Sequence, residues 1–61
     1  MVWYFILAKG PNEKRACMIA KDGRTRLRIR ANQWDETHVS PVLADLRRDN
    51  PNWTFRKQKA F

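Results

Sequence analysis

The run Arg24-Thr25-Arg26-Leu27-Arg28-Ile29-Arg30 carries an arginine at every second position. On a β-strand, where side chains alternate between faces and the rise is about 3.3 Å per residue, this lines up four guanidiniums on one face, about 6.5 Å apart. That interval is close to the separation of successive phosphates on a nucleic-acid strand. A planar guanidinium also grips a phosphate or a guanine edge through two hydrogen bonds, which an ammonium cannot do. Cations on an edge strand can simply block edge-to-edge pairing, but lysine serves that end equally well, so arginine at all four positions favours a polyanion. The like charges repel one another and invite an anionic partner.

Arg15 and Lys21 join this face if the preceding segment pairs with it, and Arg56, Lys57 and Lys59 add three further cations. Trp34, in a polar link, is a candidate for stacking on unpaired bases, a contact that contributes ~1–3 kcal/mol per base. The candidate nucleic-acid-binding set is therefore Arg15, Lys21, Arg24, Arg26, Arg28, Arg30, Trp34, Arg56, Lys57 and Lys59. Ile19 and Cys17 fall among these cations, where an aliphatic group meets a thymine methyl or a sugar. Core packing accounts for the remaining aromatic residues.

His38 beside Asp35 and Glu36 has acid–base character, and a small basic ribonuclease of the toxin type would pair such a histidine with arginines. No second histidine, nucleophile elbow, glycine-rich phosphate loop or metal-ligand spacing accompanies it. His38 therefore reads as part of a polar loop, and the chain as a non-enzyme with no catalytic residue, cofactor or metal. The single Cys17 excludes an intramolecular disulfide and, with one histidine, a structural zinc site.

The elements that must position these residues follow from periodicity. Val2 to Ala8 is an unbroken apolar run of strand length, ended by Lys9-Gly10-Pro11-Asn12. Apolar on both faces, it is expected to be central and covered, or to offer one face for interaction. Arg15–Ala20 and Arg24–Ile29 flank Asp22-Gly23, which predicts a two-residue hairpin turn. That register pairs Lys21 with Arg24, Ile19 with Arg26, Cys17 with Arg28 and Arg15 with Arg30 on a cationic face. Ala16, Met18, Ala20, Thr25, Leu27 and Ile29 then take the core face.

Ser40-Pro41 predicts a helix start, with serine as N-cap and proline at the first helical position. Val39, Val42, Leu43 and Leu46 follow helical spacing, and Asn50-Pro51 closes the element, asparagine tolerating a left-handed cap. A start at Asp35 would leave Pro41 in the helix interior at ~3 kcal/mol. Asn52 to Gln58 alternates and reads as a final strand or extended tail in which Trp53 and Phe55 close the core. The fold class is α+β, a small antiparallel three-stranded sheet followed by one helix on one face, with room for a fourth, C-terminal strand (β-β-β-α-β), in a single domain over residues 1–61.

A chain of 61 residues buries only about 60% of the surface its unfolded form exposes, which leaves room for one core and one working surface. A hydrophobic fraction of 43% supplies that core and argues against disorder. Thirteen Lys and Arg against six Asp and Glu give a net charge of +7, which fits nucleic acid, an anionic membrane or an acidic protein. The opening apolar run has no basic segment before it and no small-residue cleavage site after it, and falls short of the ~20 residues that span a bilayer. A cytoplasmic protein without membrane contact is expected.

Three antiparallel strands followed by a helix resemble the sheet-type DNA-binding domains of plant transcription factors and of integrase arm-binding domains, in which the sheet enters the major groove. The likeness lies in the architecture and the arginine-rich strand, and the aromatic first strand departs from it. The leading expectation is a nucleic-acid-binding accessory protein, on DNA or RNA. A second is a small inhibitor or adaptor of the phage or mobile-element type that docks on an acidic protein surface. The toxin-like ribonuclease is third. A homodimer through the first strand or an open sheet edge stays open.

Overall fold

The computed structural model describes every residue except Met1, Asp22 and Phe61. Its elements are β1 (Trp3–Lys9), β2 (Cys17–Ala20), β3 (Gly23–Thr25), a 3-10 turn (Arg28–Arg30), β4 (Trp34–Asp35), α1 (Glu36–Asp49) and β5 (Thr54–Lys59). The α+β class holds, and the C-terminal strand forms.

β1 is the middle of the antiparallel sheet. One edge pairs with β5 over six residues, from Tyr4 opposite Lys59 to Lys9 opposite Thr54. The other edge meets β2 at Leu7 and Ala8 and β4 at Trp3 and Tyr4, and β3 adds outside β2. The most apolar run thus occupies the position where both backbone edges are hydrogen-bonded.

Alternation divides β1 into two sets of side chains. Ile6 and Ala8 face α1 and form the core with Val39, Leu43 and Phe55, surrounded by Tyr4, Ile19, Trp34, Val42, Leu46 and Trp53. Trp3, Phe5, Leu7 and Lys9 face the other way. Phe5 is still buried, because the chain between β3 and β4 crosses this side of the sheet. It lays the Arg28 guanidinium 5.2 Å from the Phe5 ring centre. Arg28 is tied down further by donating to the Ala60 carbonyl at 3.4 Å.

The hairpin forms in a different register. Ile19 lies opposite Arg24 and Ala20 opposite Gly23, so Gly23 belongs to β3 instead of the turn, and the Asp22 half of the predicted turn lies outside the described residues. Gly23 does take the positive φ expected of it, 138°. The two-residue shift keeps each side chain on its face, but the faces are assigned the other way round. Ile19 packs against the core, whereas Leu27 and Ile29, expected in the core, are exposed.

α1 begins at Glu36 instead of Pro41, and Asp35, not Ser40, caps it. Asp35 Oδ1 accepts from the Thr37 N–H at 3.0 Å, the His38 N–H at 2.9 Å and the Thr37 hydroxyl at 2.7 Å, satisfying two helix-end amides at once. The added turn brings Val39 into the helix in line with Leu43 and Leu46, and Val39 is fully buried. Pro41 consequently sits inside the helix. At the other end Asn50 is not left-handed (φ −135°, ψ 70°). Its backbone N–H and side-chain amide both donate to the Leu46 carbonyl, at 3.0 and 3.1 Å. Arg47 donates to the Phe55 carbonyl at 2.8 Å and ties α1 to β5. Among the described residues no helix is long and apolar enough to cross a membrane.

Candidate nucleic-acid interface

The expected row of four arginines does not form, because β3 ends at Thr25. Arg24 alone is on a strand, and it faces the α1 side. Its guanidinium lies 4.7 Å from the Trp53 ring centre and is paired with Glu13. Arg24, and after it the Gly10 N–H at 2.6 Å, hold the Glu13 carboxyl below its usual range. Arg24 is therefore committed to the fold. Arg26 is exposed in a bend, Arg28 is folded over Phe5, and Arg30 is exposed in the 3-10 turn.

The other predicted residues separate as well. Arg15 is exposed in the bend before β2 and does not meet Arg30, and Lys21 is exposed in the turn without facing Arg24. Trp34 is half-buried in β4 against the core, so it is not a free stacking platform. Lys57 and Lys59 lie opposite Ile6 and Tyr4 on the α1 side, with the Lys57 Nζ 4.8 Å over the Tyr4 ring. Cys17, opposite Ala8, shares that side. Arg56, opposite Leu7, is the C-terminal cation that faces away from α1.

Arg56 there meets two lysines that sequence reasoning left out of the site. Leu7, Lys9, Lys14, Ala16, Thr54 and Arg56 line an open cleft of about 340 Å³ on the sheet face opposite α1. A second hollow of about 300 Å³ between Leu7, Arg56, Lys57 and Gln58 continues it along β5. The signal for Lys9 was the alternation of β1 itself, which puts Lys9 on one face with Trp3, Phe5 and Leu7. Arg56 joins that face only once the β1–β5 register is known, and Lys14 follows from no periodic pattern.

Among the described residues no acidic side chain lines either hollow. Glu13 is held by Arg24, and Asp35 caps the helix. Asp45 and Asp49 lie on α1, where Arg48 meets them at 3.1 and 3.4 Å. Lys9, Lys14 and Arg56 have no ion-pair partner among the described residues.

His38 stands at the N-terminus of α1 with Nδ1 2.7 Å from Asp35 Oδ1, its side chain 74% exposed. It lines neither hollow. The Thr37 hydroxyl first, and His38 next, lower the Asp35 carboxyl from 3.8 to about 2. A carboxyl depressed on folding stabilises the fold above its unfolded value, and this contribution disappears as the pH falls from 3.8 towards about 2. Asp35→Asn should remove that component of acid destabilisation, read as melting temperature against pH. An acid limb identical to that of the native chain would show that the cap carries none of it. Among the described residues no group of three or more His, Cys, Asp and Glu is placed to hold a metal ion.

No protein-family model matches the chain, and no curated protein or solved structure matches it.

Proposed function

We propose that this chain is a small nucleic-acid-binding protein that holds the sugar–phosphate backbone on the sheet face opposite α1. The observation that carries this reading is the cleft in which Lys9, Lys14 and Arg56 gather around Leu7 and Ala16, with no acidic residue in its lining among the described residues. β5 presents Thr54, Arg56 and Gln58 in alternation along this face, a hydroxyl, a guanidinium and an amide, each a donor suited to phosphate oxygens. With a net charge of +7, Glu13 paired with Arg24 and the other described acids at the Asp35 cap or on α1, the field on this side attracts a polyanion.

The test is the salt dependence of binding to duplex DNA, single-stranded DNA and RNA. Each phosphate contact contributes about 0.7–0.9 to the slope of log K against log salt, so replacing Lys9, Lys14 and Arg56 together with glutamine should flatten that slope by about 2–3. All three side chains are outside the core, so the fold should survive. A triple variant with the native slope would refute the assignment of this face. The adaptor reading predicts instead no nucleic-acid affinity at ~0.15 M salt and loss of an acidic protein partner in the same variant.

A further inference from the structure

Among the described residues, three large apolar side chains stand in solvent: Ile29 is 92% exposed, Leu27 56% and Trp3 36%. Ile29 and Leu27 both lie in the crossover between β3 and β4, and its local build shows why. The Thr25 hydroxyl accepts from the Leu27 N–H at 3.0 Å and turns the chain out of the sheet. A single 3-10 turn follows, closed by Arg30 N–H to Leu27 carbonyl at 3.0 Å and Ala31 N–H to Arg28 carbonyl at 3.2 Å. With three residues per turn, successive side chains diverge by about 120°. Arg28 takes the inward direction, over Phe5, while Ile29 and Arg30 are turned outward. The turn is thus pinned by one arginine and presents an isoleucine, flanked by exposed Arg26 and Arg30. A chain this short has little apolar surface to spare from its core, so so open an isoleucine points to a partner that covers it.

We propose that the Arg26–Arg30 turn is a wedge. On a nucleic-acid duplex, Ile29, backed by Leu27, enters between stacked base pairs while Arg26 and Arg30 hold the phosphates on either side. This inference rests on the nucleic-acid reading above and narrows it to a double-stranded, deformed partner. The tip is apolar and its flanks are cationic, which is the arrangement by which side chains inserted at a base step unstack and kink a duplex. An anionic lipid surface would attract the same charges, but docking there requires contiguous apolar area. Here Leu27 and Ile29 each have an arginine on both sides.

The experiment uses a short DNA duplex with 2-aminopurine at one TpA step, the kind of step most readily unstacked, and the equivalent RNA duplex. The native chain is compared with the variant Leu27→Ser/Ile29→Ser, which leaves the core untouched and whose folding is checked by circular dichroism. The native chain should raise the 2-aminopurine fluorescence severalfold on the DNA, the RNA, or both, which also identifies the duplex preferred. The variant should bind about tenfold more weakly, with an unchanged salt slope and no fluorescence rise. Binding by the native chain without a rise, or a variant that retains the rise, overturns the wedge and leaves the sheet-face reading in place. Failure of the native chain to bind any nucleic acid overturns both. Vesicles of phosphatidylserine and phosphatidylcholine provide the last arm. If the native chain sediments with them and the variant does not, while both treat the duplexes alike, the turn is a membrane contact and the wedge is refuted.

Discussion

Ile6→Ala should leave most of the molecules unfolded under conditions in which the native chain is folded. Ile6 is fully buried, at 0% exposure, in the middle of β1 and under α1, with Val39 the other large side chain so completely enclosed among the described residues. Truncating such a residue costs ~2–5 kcal/mol, which includes the cavity left behind. A single core in a chain of this size rarely supplies more than ~3–5 kcal/mol, and the lone cysteine provides no disulfide to add to it. The loss is therefore comparable with the total. Urea titration followed by far-ultraviolet circular dichroism reads the effect directly, and a variant with the native midpoint would mean that α1 does not cover β1 as described.

Pro41→Ala should act in the opposite direction and stabilise the chain by ~2 kcal/mol. Proline within a helix removes the N–H that would bond the Thr37 carbonyl and crowds that carbonyl, at ~3 kcal/mol. Pro41 is exposed, so alanine forfeits no packing. Part of the gain is offset, by ~0.4–1 kcal/mol, because proline also restricts the unfolded chain. The same titration measures it, and an unchanged midpoint would show that α1 does not run continuously through residue 41. The native sequence tolerates Pro41 because the turn before it carries the Asp35 cap and brings Val39 into the core.

That balance explains what sequence pattern alone could reach. The first strand was legible as an unbroken apolar run, and the last strand and the inward positions Leu43 and Phe55 were legible because periodicity reports which residues share a face. It does not report which face receives the helix, and the hairpin was assigned inside out for that reason. Two registers differing by two residues also preserve the same faces, so the Asp-Gly signal could not separate them. In the register found, a longer β3 would have put Arg26 opposite Cys17 on the α1 side, adding a second guanidinium beside Arg24. The chain leaves the sheet before that happens, and the alternation of arginines from 24 to 30 ceases to describe a strand. The helix starts at Glu36 and not at Pro41 because the preference of proline for the first turn is weaker than one aspartate cap combined with a buried valine. Lys9 and Arg56 came together only through pairing between distant segments, which no local window contains.

That pairing also governs how the fold is reached. The nearest partners in the β1–β5 ladder, Lys9 and Thr54, are 54 − 9 = 45 positions apart, so loop closure over most of the chain must precede the contacts that reward it. Until β5 arrives, β1 has one unsatisfied backbone edge and apolar side chains on both faces, the kind of segment that recruits other chains. Assembly is consequently close to all-or-none, β1 being among the last strands to be completed although it precedes its partners in chain order.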